Sequence, residues 1–277
     1  MSTLRKDVLN RMLKCNKNIS NLPASNDLSP LEWDSFFSKY EELEINSGKF
    51  CAYFSEPPCE EIENLNFLLI HGAGLTSLSW ACFVKELTKS LKCRSVAVDL
   101  RGHGFSCVHD DLDIESLSGD IIQLFDILFN PDQKVVVIGH SLGGSVGVRV
   151  ADRFPERVVG LIVLDAVEGL IKEFNSELIR VNSDLGTIFE WRTDLKKTKK
   201  YWIKWFDGMS NGFLRVRAKK MLILTTAENL DNSLMIGHMQ GKFQLVLLHN
   251  CGHLIHEDVP DQVVEAVSKF VKWHKFI

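Results

Sequence analysis

The stretch "KVVVIGHSLGGSVGVRVADRF", residues 134–154, opens with an unbroken apolar run, passes through Gly139-His140-Ser141-Leu142-Gly143, and continues with apolar residues recurring at three and four. A short run without polar alternation suits a strand buried on both faces, and the recurrence after it suits a helix. A Gly-x-Ser-x-Gly set between strand and helix places its serine on a strained turn. The flanking glycines let the backbone pass closely there, and the hydroxyl stands clear of the sheet. Leu142 then opens the helix, with its N–H aimed at charge developing on an oxygen beside Ser141. The spacing predicts a nucleophile at Ser141 and an oxyanion donor at Leu142.

Outward from this stretch the same rhythm repeats. Apolar runs stand at 67–70, 95–100, 161–165, 221–226 and 243–248. Between and after them, helix-periodic segments stand at 78–91, 113–129 and 260–276. Strands alternating with helices predict an α/β fold with a mostly parallel sheet and helices on both faces. "EELEIN" and "KFCAYFSE" read as an added antiparallel pair at the front. Residues 1–28, rich in Asn and Lys, read as a loose tail, and the domain is expected over 29–277. Residues 168–211 break the rhythm. They are polar and helix-compatible, with aromatics at Trp191, Tyr201, Trp202, Trp205 and Phe206, and read as a small lid insertion above the sheet. These aromatics also fit a plainer role, packing the excursion onto the core.

Composition narrows the function. With 277 residues, 45% of them hydrophobic and 25% charged, the chain has enough apolar mass for one full core. A formal net charge of -4 offers no general attraction to nucleic acid or to an anionic membrane. The start lacks the apolar core of a signal peptide, and no run approaches the roughly 18 apolar residues of a membrane span, so an intracellular protein is expected. Seven scattered cysteines without a Cys-x-x-Cys pair suit free thiols.

A serine hydroxyl needs a base within hydrogen-bond reach and an acid to orient that base. The segment "LLHNCGHLIHEDVP", after the last run, offers His249, His253 and His256. His253, following Gly252, is best placed. The spacing of the three would suit a metal only on one helical face, and this segment is a loop. A second oxyanion donor is expected from His71-Gly72-Ala73-Gly74, at Ala73 or Gly74. His71 and His103 of "DLRGHG" read as histidines that tie their loops down. For the acid, Asp165 and Glu228 both follow apolar runs on the ligand side of a parallel sheet, and position leaves both open.

The segments "LSPLEWDSFFSKYEELEI", "HGAGLTSLSWACF", "VAVDLRGHG", "IGHSLGGSVGV", "VLDAVEG", "FEWRTDLKKTKKYWIKWFDGMSNGFL" and "ENLDNSLMIGHMQGKFQLVLLHNCGHLIHEDVP" together resemble the protein phosphatase methylesterases, a family with the α/β-hydrolase fold. Asp-Ala-Val-Glu-Gly, Lys-Tyr-Trp and Met-Gln-Gly-Lys-Phe are the specific parts of the match. The resemblance implies removal of the methyl ester from the C-terminal leucine of the type 2A protein phosphatase catalytic subunit, which becomes the expected partner, with no cofactor. It also implies a triad of Ser141, Asp165 and His253, with Glu228 as the reserve acid. One departure stands out. Where the family carries a long helical insertion, only residues 170–188 join "VLDAVEG" to "FEWRTDL". The rival expectations are a general small-ester carboxylesterase and a phosphatase-binding protein without turnover.

Overall fold

The computed structural model describes residues 32–57, 63–107, 109–168, 198–228 and 230–277. The chain divides after Glu32, and every strand and helix named below belongs to the unit Trp33–Ile277. The expected tail at 1–28, Trp191 and most of the expected lid lie outside the described residues.

Among the described residues eight strands form one sheet: β1 Lys39–Ile45, β2 Gly48–Ser55, β3 Leu65–Ile70, β4 Arg94–Val98, β5 Lys134–His140, β6 Val158–Leu164, β7 Lys219–Leu224 and β8 Gln244–Leu247. They lie in the order β1-β2-β4-β3-β5-β6-β7-β8. β1 pairs with β2 and β2 with β4 antiparallel, and every other pair is parallel. The order reverses direction at β3, between β4 and β5, which opens a crevice at the carboxyl ends of these strands.

The helices are α1 Ala81–Ser90, α2 Ile114–Leu128, α3 Leu142–Arg153, α4 Trp202–Phe206, α5 Met209–Arg215, α6 Asn232–Met239, α7 Ile255–Asp258 and α8 Pro260–Trp273. Along β5, Val135 and Val137 face one side and Val136 and Ile138 the other, as the two-residue strand period requires. The first face meets Leu117, Ile121 and Phe125 of α2 and Val146 and Val150 of α3. The second meets Phe83, Val84 and Leu87 of α1 and Val263, Val267 and Phe270 of α8. Each such fully buried side chain contributes about 1.5–3 kcal/mol relative to exposure. Local signals fix the helix starts. The Asp113 carboxylate accepts from the Glu115 N–H at 3.2 Å before α2, and Pro260 occupies the first turn of α8, where a missing N–H costs nothing.

Strand β8 differs from the expectation of burial on both faces. It is four residues long and half-exposed, because among the described residues it ends the sheet and has a neighbour on one side only. Past residue 197 the excursion is helical and its aromatics pack inward. Trp205 is buried, donates Nε1–H to the Leu112 carbonyl at 2.7 Å, and lends its own carbonyl to Ser145 Oγ. Tyr201 stacks on Trp205 and donates its hydroxyl to the Asp110 carbonyl at 2.9 Å. For Trp205, Phe206 and Tyr201 the plainer role, packing onto the core, describes what is seen.

Candidate functional site

Ser141 sits between the last residue of β5 and the first of α3 with φ 50° and ψ -119°, a conformation that non-glycine residues rarely adopt and that costs roughly 1–3 kcal/mol. The two glycines of the motif are sterically required. A Cβ on Gly139 would stand 2.1 Å from the Gly143 carbonyl oxygen, and one on Gly143 would stand 2.1 Å from that of Ile70. The turn is therefore pressed against the end of β3. Its height is set by the sheet, since the Ser141 N–H reaches the Leu164 carbonyl at 3.0 Å. The next residue along β6 is Asp165.

Asp165 also has a positive φ, 45°, and its N–H continues the ladder to the Ile223 carbonyl at 2.8 Å. Its buried carboxylate is fully engaged. Oδ1 accepts from the Thr225 N–H at 3.2 Å and the Thr225 hydroxyl at 3.3 Å, while Oδ2 lies 2.7 Å from Nδ1 of His253. A carboxylate on Nδ1 holds the imidazole with that nitrogen protonated and leaves Nε2 for a proton from the serine side. His253 remains half-exposed. Among the described residues Ser141 Oγ makes no hydrogen bond to the ring, a spacing common in sites without substrate. Glu228 is exposed. Its N–H meets the Thr226 hydroxyl at 3.3 Å, and among the described residues its carboxylate has no bond to His253. Of the two acids left open by position, the structure pairs Asp165 with the histidine.

The loop carrying His253 is held from below. Nε2 of His140 lies 2.9 Å from the His253 carbonyl, so that nitrogen carries the proton and donates. The His140 and His253 rings are 4.6 Å apart, His256 follows at 4.6 Å from His140, and Trp80 lies 4.4 Å from His256. Burial, with the neighbouring histidines second, pushes His140 well below its ordinary value and His256 down to about 3, so both rings are neutral near pH 7. Asn250, at φ 64°, turns the chain into this loop, and the Gly252 N–H is tied to Asp258 Oδ2 at 2.7 Å. His249 is exposed and His256 fully buried, so the three histidines of this segment do not converge.

The Leu142 N–H belongs to the first turn of α3, where N–H groups lack intrahelical acceptors. A Cβ on Gly72 would lie 2.7 Å from Nδ1 of His140 and 3.2 Å from the Cβ of Ser141, which places the 71–74 loop beside the serine turn. Within that loop the Gly74 N–H is donated to Nε2 of His103 at 3.0 Å, which engages one of the two expected donors. Two contributors carry no signal of their own in the sequence. Thr225 stands in the run at 221–226 with nothing to single it out, and His140 occupies a variable position of the serine motif.

Residues 67–266 match the α/β hydrolase family. The fold agrees with a thioesterase domain from the curacin biosynthetic pathway, at TM-score 0.64, 16% identity, 83% of this chain and 98% of that one. It agrees also with an epoxide hydrolase of Vigna radiata, at TM-score 0.65, 15% identity, 88% and 100%. Sequence similarity is more specific. The chain is 34% identical to "Probable protein phosphatase methylesterase 1" of Caenorhabditis elegans, over 90% of this chain and 79% of that protein. It is 31% identical to protein phosphatase methylesterase 1 of Homo sapiens, over 90% and 86%. The human alignment runs over 338 residues and the nematode one over 294, so both relatives carry residues that this 277-residue chain lacks. No described helix is long and apolar enough to cross a membrane. With the α/β-hydrolase fold and identity at this level over nine-tenths of its length, the chain belongs to the protein phosphatase methylesterase family.

Proposed function

We propose that the chain is a serine carboxylesterase that removes the methyl ester from the C-terminal leucine of the type 2A protein phosphatase catalytic subunit. The observation that carries this is the 2.7 Å pair between Asp165 Oδ2 and His253 Nδ1, beside a serine held at positive φ on a strand-to-helix turn. Family membership supplies the substrate class. In this reading Ser141 Oγ attacks the ester carbonyl while His253 Nε2 takes its proton. Asp165, satisfied by Thr225 on its other oxygen, steadies the imidazolium. The N–H groups of Leu142 and of the 71–74 loop receive the oxyanion. Imidazolium then protonates the departing methoxide, giving methanol and an acyl-serine, and water activated by His253 releases the carboxylate. No step calls for a metal or cofactor.

A second reading, a carboxylesterase for small esters, is favoured by the residues present in the relatives and missing here. The deciding experiment is demethylation of carboxymethylated type 2A phosphatase by the purified chain, with Ser141→Ala and p-nitrophenyl acetate alongside. Demethylation that disappears in the variant is the expected result. Hydrolysis of the small ester alone would support the second reading. Inertness toward both, with phosphatase binding unchanged by Ser141→Ala, would establish a phosphatase-binding protein without turnover.

A further inference from the structure

The loop after β3, residues 71–77, and the loop after β4, residues 99–106, are joined by hydrogen bonds running in both directions. On the first loop, Nδ1 of His71 lies 2.8 Å from the Gly72 carbonyl and Nε2 accepts the N–H of Leu100 at 3.0 Å. On the second, Nδ1 of His103 lies 2.9 Å from the Arg101 carbonyl and Nε2 accepts the N–H of Gly74 at 3.0 Å. A carbonyl only accepts and a backbone N–H only donates, so each ring is neutral, protonated on Nδ1, with its lone pair at Nε2. Both rings are buried and lie 5.1 Å apart. Asp99 adds a further link, accepting from the Ser77 N–H at 2.7 Å and the Phe105 N–H at 2.9 Å. The second loop is itself anchored, because Arg101 and the Ser47 hydroxyl both bond the buried Asp120 carboxylate.

These bonds decide which N–H groups remain for a ligand. His71, together with the Leu75 N–H at 3.2 Å, fixes the Gly72 carbonyl, and in a trans peptide the Ala73 N–H must point the opposite way. Gly72 lies against Ser141, so that peptide borders the nucleophile. The Gly74 N–H, one peptide further on at φ 77°, is turned to His103 instead. We infer that His71 and His103 are positioning residues for the oxyanion loop, His71 orienting the Ala73 N–H toward the reacting oxygen and His103 withdrawing that of Gly74. Among the described residues the hole is then completed by Ala73 and Leu142. Burial, which holds both rings down to about 4, keeps the two lone pairs available across the neutral range. The inference rests on the serine-esterase reading, although the bonds themselves do not.

The test uses the full chain. Nitrogen-15 spectra of the parent should show His71 and His103 protonated at Nδ1 and bare at Nε2, and the opposite tautomer at His103 would overturn the inference. His103→Phe fills the space without an acceptor, whereas His103→Gln retains one. In the Phe variant the Gly74 amide should exchange with solvent about tenfold faster or more, and kcat for p-nitrophenyl acetate should fall about tenfold with KM within about twofold. The Gln variant should recover most of both. A Phe variant with native kcat, or a Gln variant as impaired as the Phe variant, would reduce His103 to a packing residue. If the parent cleaves neither the small ester nor carboxymethylated phosphatase, the esterase reading fails, while the tautomer and the Gly74 exchange rate still decide whether the clasp exists.

Discussion

Strands β6 and β7 lie side by side, run parallel, and are each followed by an acid, yet the two acids meet different fates. Asp165 directly follows β6, is buried, and spends both carboxylate oxygens on Thr225 and His253. Glu228 stands four residues past β7, in solvent. Two features separate them. The first residue beyond a strand is still held by the neighbouring ladder, as the Asp165 N–H is by Ile223, and so has a fixed height. Four residues later that restraint is gone. The second feature is that Thr225, the first residue past β7, supplies a donor pair to the neighbouring acid. β7 thus serves the candidate site by supporting the acid of β6.

The strongest way to break this contrast is Asp165→Asn. An amide donates to Nδ1 as readily as it accepts, so the ring is free to take the tautomer with Nε2 protonated, which cannot accept the serine proton. Turnover is expected to fall on the order of 10³- to 10⁴-fold, equivalent to about 4–5 kcal/mol of barrier. Thermal unfolding monitored in parallel should move little, since the shape is kept. A loss under tenfold would deny Asp165 the role of orienting acid.

Much of this architecture is visible in the sequence because it is local. The buried runs, the caps at Asp113 and Pro260 and the glycines around Ser141 each state their own conformation within a few residues. What stays hidden is relational. The bonds from Thr225 to Asp165 and from His140 to the His253 carbonyl span 60 and 113 residues, and only the sheet order brings them together. Helix α6 is illegible for another reason. Its residues "NSLMIGHM" interleave apolar and polar side chains around the axis and leave Met235, Ile236 and Met239 exposed, so no face declares itself. Only the Asp231 cap, accepting from the Leu234 N–H at 2.9 Å, marks where it starts.

The same split between buried and exposed groups recurs among the histidines and predicts an acid limb of stability. His71 and His103 are held down to about 4, His256 to about 3, and His140 well below its ordinary value. Below about pH 6.5 the unfolded chain binds protons at these four positions that the folded chain refuses. Their contribution is therefore present above that pH and is lost as pH falls toward 4. Each ring contributes up to about 1.4 kcal/mol per pH unit in that window. Urea midpoints should drop steadily on acidification. Replacing His256 by Phe should flatten the slope, and an unchanged slope would mean that the ring is already charged or solvated in the fold.

A smaller effect tests the support from β7. Thr225→Val keeps the N–H bond to Asp165 and removes the hydroxyl, one of three hydrogen bonds on that carboxylate among the described residues. The cost should be about 1 kcal/mol, a roughly fivefold lower kcat. Thr225→Ser should restore it, and a valine variant at full rate would show the hydroxyl to be idle.

The smallest expected effect is also the most discriminating for the two strand ends. Glu228→Gln removes an exposed charge whose interaction with the site is screened by water and salt, so kcat/KM should stay within about twofold. Measured beside Asp165→Asn at one pH and ionic strength, the pair of ratios decides which strand end carries the acid. If the glutamine variant lost activity on the scale of the asparagine variant, His253 would have to turn from Asp165 to Glu228 during turnover. That movement would break the His140 bond to the His253 carbonyl or shift the whole loop, and His140→Phe would then leave activity untouched. Should Glu228 prove silent, the burial of one acid and the exposure of its neighbour are enough to explain why adjacent parallel strands play unequal parts.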